Sequence, residues 1–279
     1  GGGVLVPSPL SASIIDRVRN VSRCFQAGAR IVPMDSQTLK VPRIAGSPSP
    51  AWRNENATIA EGDLTFDSVT FTARSLALIV KASRELIEDG QDVDNTVRND
   101  LAAQVATEVD RVMLRGTGTA PEPRGVRNTS GVTVTAFGGA NGAAPTNYDH
   151  LLDAVQVLAG GNYETTAFIQ APRSETTLAK LKEATTNAYL RPPAQLEDIP
   201  RLSTNQVPVN LTTGTSNDTS EVFAGDWSHL WLGMRTELQL GTLVERYADA
   251  GQVAFLIWLR ADVQLSQPAA FNVITGIRP

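Results

Sequence analysis

Apolar residues recur every four positions at Val93, Val97, Leu101, Val105, Val109 and Met113, with Ala102, Ala103 and Ala106 between them, and this spacing predicts a helix over 92–115. Gly116 ends it. At ~1.5 Å per residue such a helix spans about 36 Å, the length of a structural spine. A shorter helix over Ser83–Asp89 precedes it, opened by Ser83 and closed by Gly90. From Trp52 to about Lys81 the pattern is that of strands: a polar segment over 55–63, then Leu64, Phe66, Val69 and Phe71 among threonines. This predicts a long two-stranded hairpin whose return strand lies over Ser68–Val80. Beyond the spine, residues 116–147 alternate turns with short strands at Val126 and Val132–Thr135. A helix over Tyr148–Leu158, a strand over Ala167–Gln170 and a helix over Arg173–Lys182 then predict an α/β unit. The remainder reads as strands over Leu230–Met234, Thr236–Leu243, Val253–Val263 and Phe271–Thr275, expected to pack on the spine.

The first fifty residues have a different texture. They contain Pro7, Pro9, Pro33, Pro42, Pro48 and Pro50 and one short helical pattern, Ile14–Val21, which predicts an extended arm. Val4, Leu5, Val6, Ile31 and Val32 on such an arm need an apolar surface to cover them. A hairpin not covered by its own domain is marginal in water. Both features point to stabilisation by another subunit.

Composition narrows the chemistry. A formal net charge of -5 and a pI near 5.2 provide no basic footprint for gripping nucleic acid. Cys24 is the single cysteine, so no intrachain disulfide forms. The apolar runs Leu76–Val80 and Val253–Leu259 are far shorter than the ~20 residues of a membrane-spanning helix. Basic residues are almost all arginine, lysine occurring only at Lys40, Lys81, Lys180 and Lys182; this suits interfaces, and equally a GC-rich genome. His150 and His229 have no ligand spacing; His150 is expected on a helix surface and His229 in a structural role. Glu85, Glu88 and Asp89 read as a solvated or Arg-paired face, Asp226 as a turn cap, and Trp227 and Trp231 as core or interface anchors. No nucleophile elbow, phosphate loop or dinucleotide fingerprint is present, and no catalytic residue, metal or cofactor is assigned.

In order along the chain, these landmarks resemble the Hong Kong 97-type major capsid proteins of tailed phages. GGGVLVP resembles that family's glycine-rich arm just after the point where a scaffolding segment is removed. Trp52, Glu55 and Glu61, followed by FDSVTFTARSLALIVKASRELIEDG, resemble its extended loop and the lead into its spine helix. The helix ending at Arg115, the turn GTGTAPEPRGV, the segment VFAGDWSHLWLGMR and the ending VAFLIWLRADVQLSQPAAF complete the sequence of signs. The resemblance implies an α+β capsid fold with an N-terminal arm over 1–50, an extended loop over 51–80, a peripheral domain over 81–140 and 225–279, and an axial α/β domain over 141–224. It also implies a non-enzymatic shell subunit that forms pentamers and hexamers around double-stranded DNA without reading its sequence. Such a subunit belongs to the virion, assembles in the host cytoplasm, meets portal and decoration proteins, and has no membrane partner. Inter-subunit contacts are expected from Val4, Leu5, Val6, Trp52, Glu55, Glu61, Phe66, Phe71 and Arg74. Some members join subunits by an isopeptide bond from a loop lysine to a neighbour's asparagine; residues 52–80 contain no lysine and Lys81 lies at their base, so no such crosslink is expected. An encapsulin shell would share the fold, although the arm-like GGGVLVP start disfavours it; a gene-transfer-agent capsid would use the same subunit, whereas an α/β enzyme would need a cleft with shifted acid–base groups.

Overall fold

The computed structural model describes residues 22–46, 52–54, 63, 65–85 and 93–279. The expected helix at Ile14–Val21 and the arm residues Val4, Leu5 and Val6 lie outside these, as do Glu55 and Glu61 and most of the short helix expected at Ser83–Asp89.

Three sheets organise the described residues. A four-stranded sheet has the order β1 (Arg30–Pro33), β10 (Leu230–Leu243), β11 (Gln252–Leu265), β4 (Arg74–Ser83). A six-stranded sheet runs β5 (Thr133–Ala136), β12 (Phe271–Ile277), β9 (Ser216–Gly225), β6 (Ala167–Gln170), β7 (Arg201–Ser203), with β8 (Leu211–Thr213) also paired to β9. The third is a two-stranded ribbon of β2 (Thr38–Gly46) and β3 (Thr65–Thr72). Among the described residues five α-helices accompany them: α1 (Arg23–Ala27), the spine α2 (Val93–Arg115), α3 (Asp149–Gly160), α4 (Pro172–Ala179) and the single turn α5 (Ala194–Glu197).

The spine follows the four-residue apolar repeat: Leu101, Val105, Val109 and Met113 are buried, as are the intervening Ala102 and Ala106. They share one core with Phe255, Ile257, Leu259, Val263 and Leu265 of β11. The spine stops where its end meets the 116–125 turn backbone to backbone. Gly116 donates to the Val112 carbonyl at 2.8 Å and Gly125 to the Gly116 carbonyl at 2.9 Å. A Cβ at Gly116 would lie 2.3 Å from the Pro123 oxygen, and one at Gly125 would lie 2.4 Å from the Val112 oxygen, so both positions require glycine.

The six-stranded sheet separates two cores because its strands alternate. Ala167, Ile169, Phe223, Phe271 and Val273 point to the spine side, while Phe168, Val222, Ala224, Ile274 and Ile277 point to Leu151, Ala154 and Leu158 of α3. All four residues of β6 are therefore buried. In the spine-side core Trp227 is fully buried, donating its indole N–H to the Ala167 carbonyl at 2.9 Å and meeting Phe271 edge to face at 5.5 Å. Asp226 caps this turn by accepting from the Ser228 N–H, as its position suggested.

Several expectations are corrected. The stretch expected as one return strand over Ser68–Val80 is two strands broken at Ala73: β3 pairs with β2, and β4 joins β11 in a different sheet. The ribbon consequently begins at Thr38, inside the region read as arm, and it contains Lys40. Strands expected separately at 230–234 and 236–243 are one continuous β10, with register shifts between Met234 and Thr236 and between Thr236 and Gln239 absorbing the irregularity. The division at residues 140 and 225 cuts through the six-stranded sheet, since β5 and β12 from outside the axial stretch pair within it. His150, expected on a helix surface, is buried, because the first turn of α3 faces Phe137 and the sheet instead of solvent.

Candidate assembly interface

The ribbon is built as two halves with different physics. In its register Leu39 faces Phe71 and Val41 faces Val69, so these four share one face, and near the base that face packs on Met34, Ala73 and Trp231 as a small core of its own. Toward the tip the same face changes to an ion pair, Arg43 to Asp67 at 2.6 Å, and Arg43 also donates to the Ser266 carbonyl at 3.2 Å. This pairing holds the Asp67 carboxyl below the usual carboxylate range. The base is pinned once more by the Thr72 N–H donating to the Asp262 carboxylate at 2.8 Å.

The other face carries Thr38, Lys40, Pro42, Ile44 and, across from them, Phe66, Ser68, Thr70 and Thr72. Ile44 and Phe66 are directly opposed and are 50% and 69% exposed, an apolar cross-strand pair with no cover among the described residues. No third strand pairs with the ribbon among the described residues. Trp52 is fully exposed as well.

Of the residues expected to reach a neighbour, Trp52 and Phe66 are thus presented outward. Phe71 is not: it is fully buried in its own subunit, against Gly233 and Met34 and stacked at 6.5 Å on Trp231. Its alternation with Phe66 along β3 would allow either to face out, and only the packing of the base on β10 settles which one does. Arg74 is turned inward too, donating to the Glu122 carbonyl of its own chain.

Three polar clusters tie the spine to the rest of the subunit. Glu221, 4% exposed, accepts from both Arg115 at the end of the spine and Arg127 (2.7 Å), joining spine and six-stranded sheet. Glu122, in the turn after the spine, accepts from Arg111 at 2.6 Å and Thr117 at 2.7 Å, and these donors hold its carboxyl below the usual range against the opposing effect of burial. Asp110, buried on the spine, accepts from the Ser22 hydroxyl and from the backbone N–H groups of Arg23 (2.7 Å) and Cys24 (3.2 Å), fixing the start of α1. Burial pushes the Asp110 carboxyl up, with those donors pulling it back. None of these was singled out in the sequence: Asp110 within a helix and Glu221 within a strand carry no local sign of partners about ninety or more residues away. His229 has the structural role expected, its Nδ1 2.7 Å from the Ser266 hydroxyl.

Among the described residues no group of three or more His, Cys, Asp or Glu side chains is placed to hold a metal ion, and no helix is long and apolar enough to cross a membrane.

Comparison with known proteins places this architecture. The chain is similar to the major capsid protein of Klebsiella oxytoca phage phiKO2, 25% identical over 240 residues, which are 83% of this chain and 56% of that protein. It is also similar to the major capsid protein of Enterobacteria phage HK97, 24% identical over 129 residues, 46% of this chain and 33% of that protein. The chain thus spans about half the length of the phiKO2 relative. Among solved structures, the capsid of a native GTA particle superposes with a TM-score of 0.71 at 20% identity, covering 99% of this chain and 93% of that one. A structure from Microbacterium phage Oxtober96 does so with a TM-score of 0.71 at 18% identity, covering 91% and 90%. At these identities the structures show a shared fold, which is the capsid fold expected from the order of landmarks. Residues 2–276 match the model of the phage capsid family, and the chain belongs to that family.

Proposed function

We propose that this protein is a major capsid protein, a non-enzymatic subunit that assembles into pentamers and hexamers and closes an icosahedral shell around double-stranded DNA. The observation that carries this is the β2–β3 ribbon: a two-stranded element with an exposed Ile44–Phe66 pair and no third strand among the described residues. One face of this element is packed on its own subunit, and its outer face gains burial when another surface covers it. In this reading the extended loop is the ribbon, from Thr38 to Thr72, so the arm is shorter than residues 1–50. The lobe of the six-stranded sheet with α3 and α4 surrounds the symmetry axes, and the four-stranded sheet with the spine forms the periphery. Trp52, Ile44 and Phe66 contact a neighbouring subunit. DNA is enclosed without sequence readout, consistent with a net charge of -5. Portal and decoration proteins are further partners, and assembly takes place in the host cytoplasm.

The likeness to the capsid of a native GTA particle favours one second reading, a gene-transfer-agent head built from the same kind of subunit. Negative-stain electron microscopy of the concentrated protein, together with its sedimentation profile, tests both. Closed shells or free pentamers and hexamers are the expected result, and the enclosed nucleic acid separates the two readings. A monodisperse monomer under all assembly conditions would overturn them.

A further inference from the structure

Strand β4 forms an edge of the four-stranded sheet, and among the described residues only β11 pairs with it. That pairing runs unbroken from Arg74↔Ala261 to Ser83↔Gln252, with no bulge. Side chains alternate strictly between half-buried and exposed along the strand. The inward row of Leu76, Leu78, Val80 and Ala82 packs on the main core yet stays half-buried. Edge strands of this length are ordinarily blunted by a proline, a bulge or an inward charge. Residues 75–80, SLALIV, have none of these.

Two further features adjoin the same edge. A cleft of about 400 Å3 opens between β4 and the spine, with Leu76, Val109, Val112 and Leu259 in its apolar lining. On the opposite, outward face Ile79 and Trp258 are 42% and 44% exposed, with Leu256 opposite Ile79 and Trp258 opposite Ala77, so an apolar stripe crosses the two strands.

We propose that β4 is an interface strand that pairs antiparallel with β4 of a second copy across a two-fold axis, fusing two sheets into one. The inference rests on the reading that copies of this chain assemble. A two-fold axis perpendicular to the sheet sets inward residues against inward residues, and two registers keep nearly the whole strand paired. Centring on Ile79 sets Arg74 against Arg84 of the second copy. Centring on Leu78 sets Arg74 against Ala82, Ser75 against Lys81, Leu76 against Val80 and Ala77 against Ile79. Directly opposed like charges destabilise a pair, so the Leu78-centred register is favoured. It joins the stripes of both copies into a continuous apolar ridge flanked by the two Trp258 rings, and it lays Val80 of the second copy beside Leu76 at the cleft. Main-chain hydrogen bonds then supply affinity and the alternating side chains supply register, in an isologous contact.

Cysteine pairing tests this directly, because the native Cys24 is buried. Directly opposed Cα atoms in an antiparallel pair lie ~4.5–5.5 Å apart, inside the ~4.4–6.8 Å range of a disulfide. Ala77→Cys and Ile79→Cys are made in separate full-length chains, checked by circular dichroism, mixed under assembly conditions and mildly oxidised. The mixture is expected to form the mixed disulfide dimer several-fold faster than either variant alone, and faster than Ile79→Cys mixed with Thr70→Cys on the exposed ribbon face. Ser75→Cys with Lys81→Cys provides a second pair should either central variant fail to fold. Fastest crosslinking of Ile79→Cys with itself would overturn the register, and rates no higher than the Thr70→Cys control would overturn the edge pairing. Closed shells without crosslinks would reject the edge pairing and leave the shell reading intact. Crosslinked dimers that never form shells would do the reverse.

Discussion

Acidification should weaken this subunit through His150 before the paired carboxylates protonate. His150 is 4% exposed on α3, its ring 5.1 Å from that of Phe137, and neither ring nitrogen has a hydrogen-bond partner among the described residues. Burial lowers its pKa from 6.5 to about 4; Asp149, Asp153 and the backbone of Asn147 oppose the shift but by less. In the unfolded chain the imidazole protonates near pH 6.5, while in the folded subunit it stays neutral down to about pH 4. The unfolded state therefore binds the extra proton across that window, and stability is complete above pH 6.5 and falls as the pH drops toward 4. At about 1.4 kcal/mol per pH unit the loss reaches about 3 kcal/mol, a large share of the ~5–15 kcal/mol that holds a typical domain together. Urea denaturation of the wild type and of His150→Leu at pH 7 and at pH 4.5 isolates this contribution. His150→Leu is expected to be as stable as the wild type or more so at pH 7, since it removes two unsatisfied buried nitrogens, and to lose less stability on acidification. Equal losses in the two proteins would refute the reasoning.

Glu221→Ala strands two half-buried arginines that share one carboxylate, and it is expected to cost about 3 kcal/mol in urea denaturation. Phe71→Ala empties the base of the ribbon, at about 3–5 kcal/mol, and should speed amide exchange in β3. Phe66→Ala, at an exposed site, should change the melting temperature of the free subunit little while reducing the yield of shells in sedimentation; an unchanged yield would remove Phe66 from the interface. Asp110→Ala leaves the Ser22 hydroxyl and two backbone N–H groups without their acceptor, at about 1–3 kcal/mol, and hydrogen exchange should rise across residues 22–28 ahead of the rest of the chain.

Much of the fold was legible because it is written in local periods. The four-residue repeat of the spine, the strand at Ala167–Gln170, the helix that begins beside Tyr148 and the long strands after Leu230 all appear within a few residues of where the pattern set them, since 3.6- and 2-residue spacings report directly which side of an element meets a core. The family resemblance was legible too, as an order of segments. Pairing partners were not. Residues 65–83 carry one uninterrupted strand-like pattern, and only the register of β3 on β2 and of β4 on β11 divides them at Ala73 between two sheets. The same holds for Phe66 and Phe71, equivalent in sequence, of which tertiary packing buries one and exposes the other. His150 sits beside Asp149 on a stretch that reads as polar helix surface, and its burial follows from how α3 lies against Phe137 and the sheet. Local spacing thus determined which residues are helical or extended, whereas partners, exposure and charge state depend on contacts between segments far apart in the chain, which only the folded structure brings together.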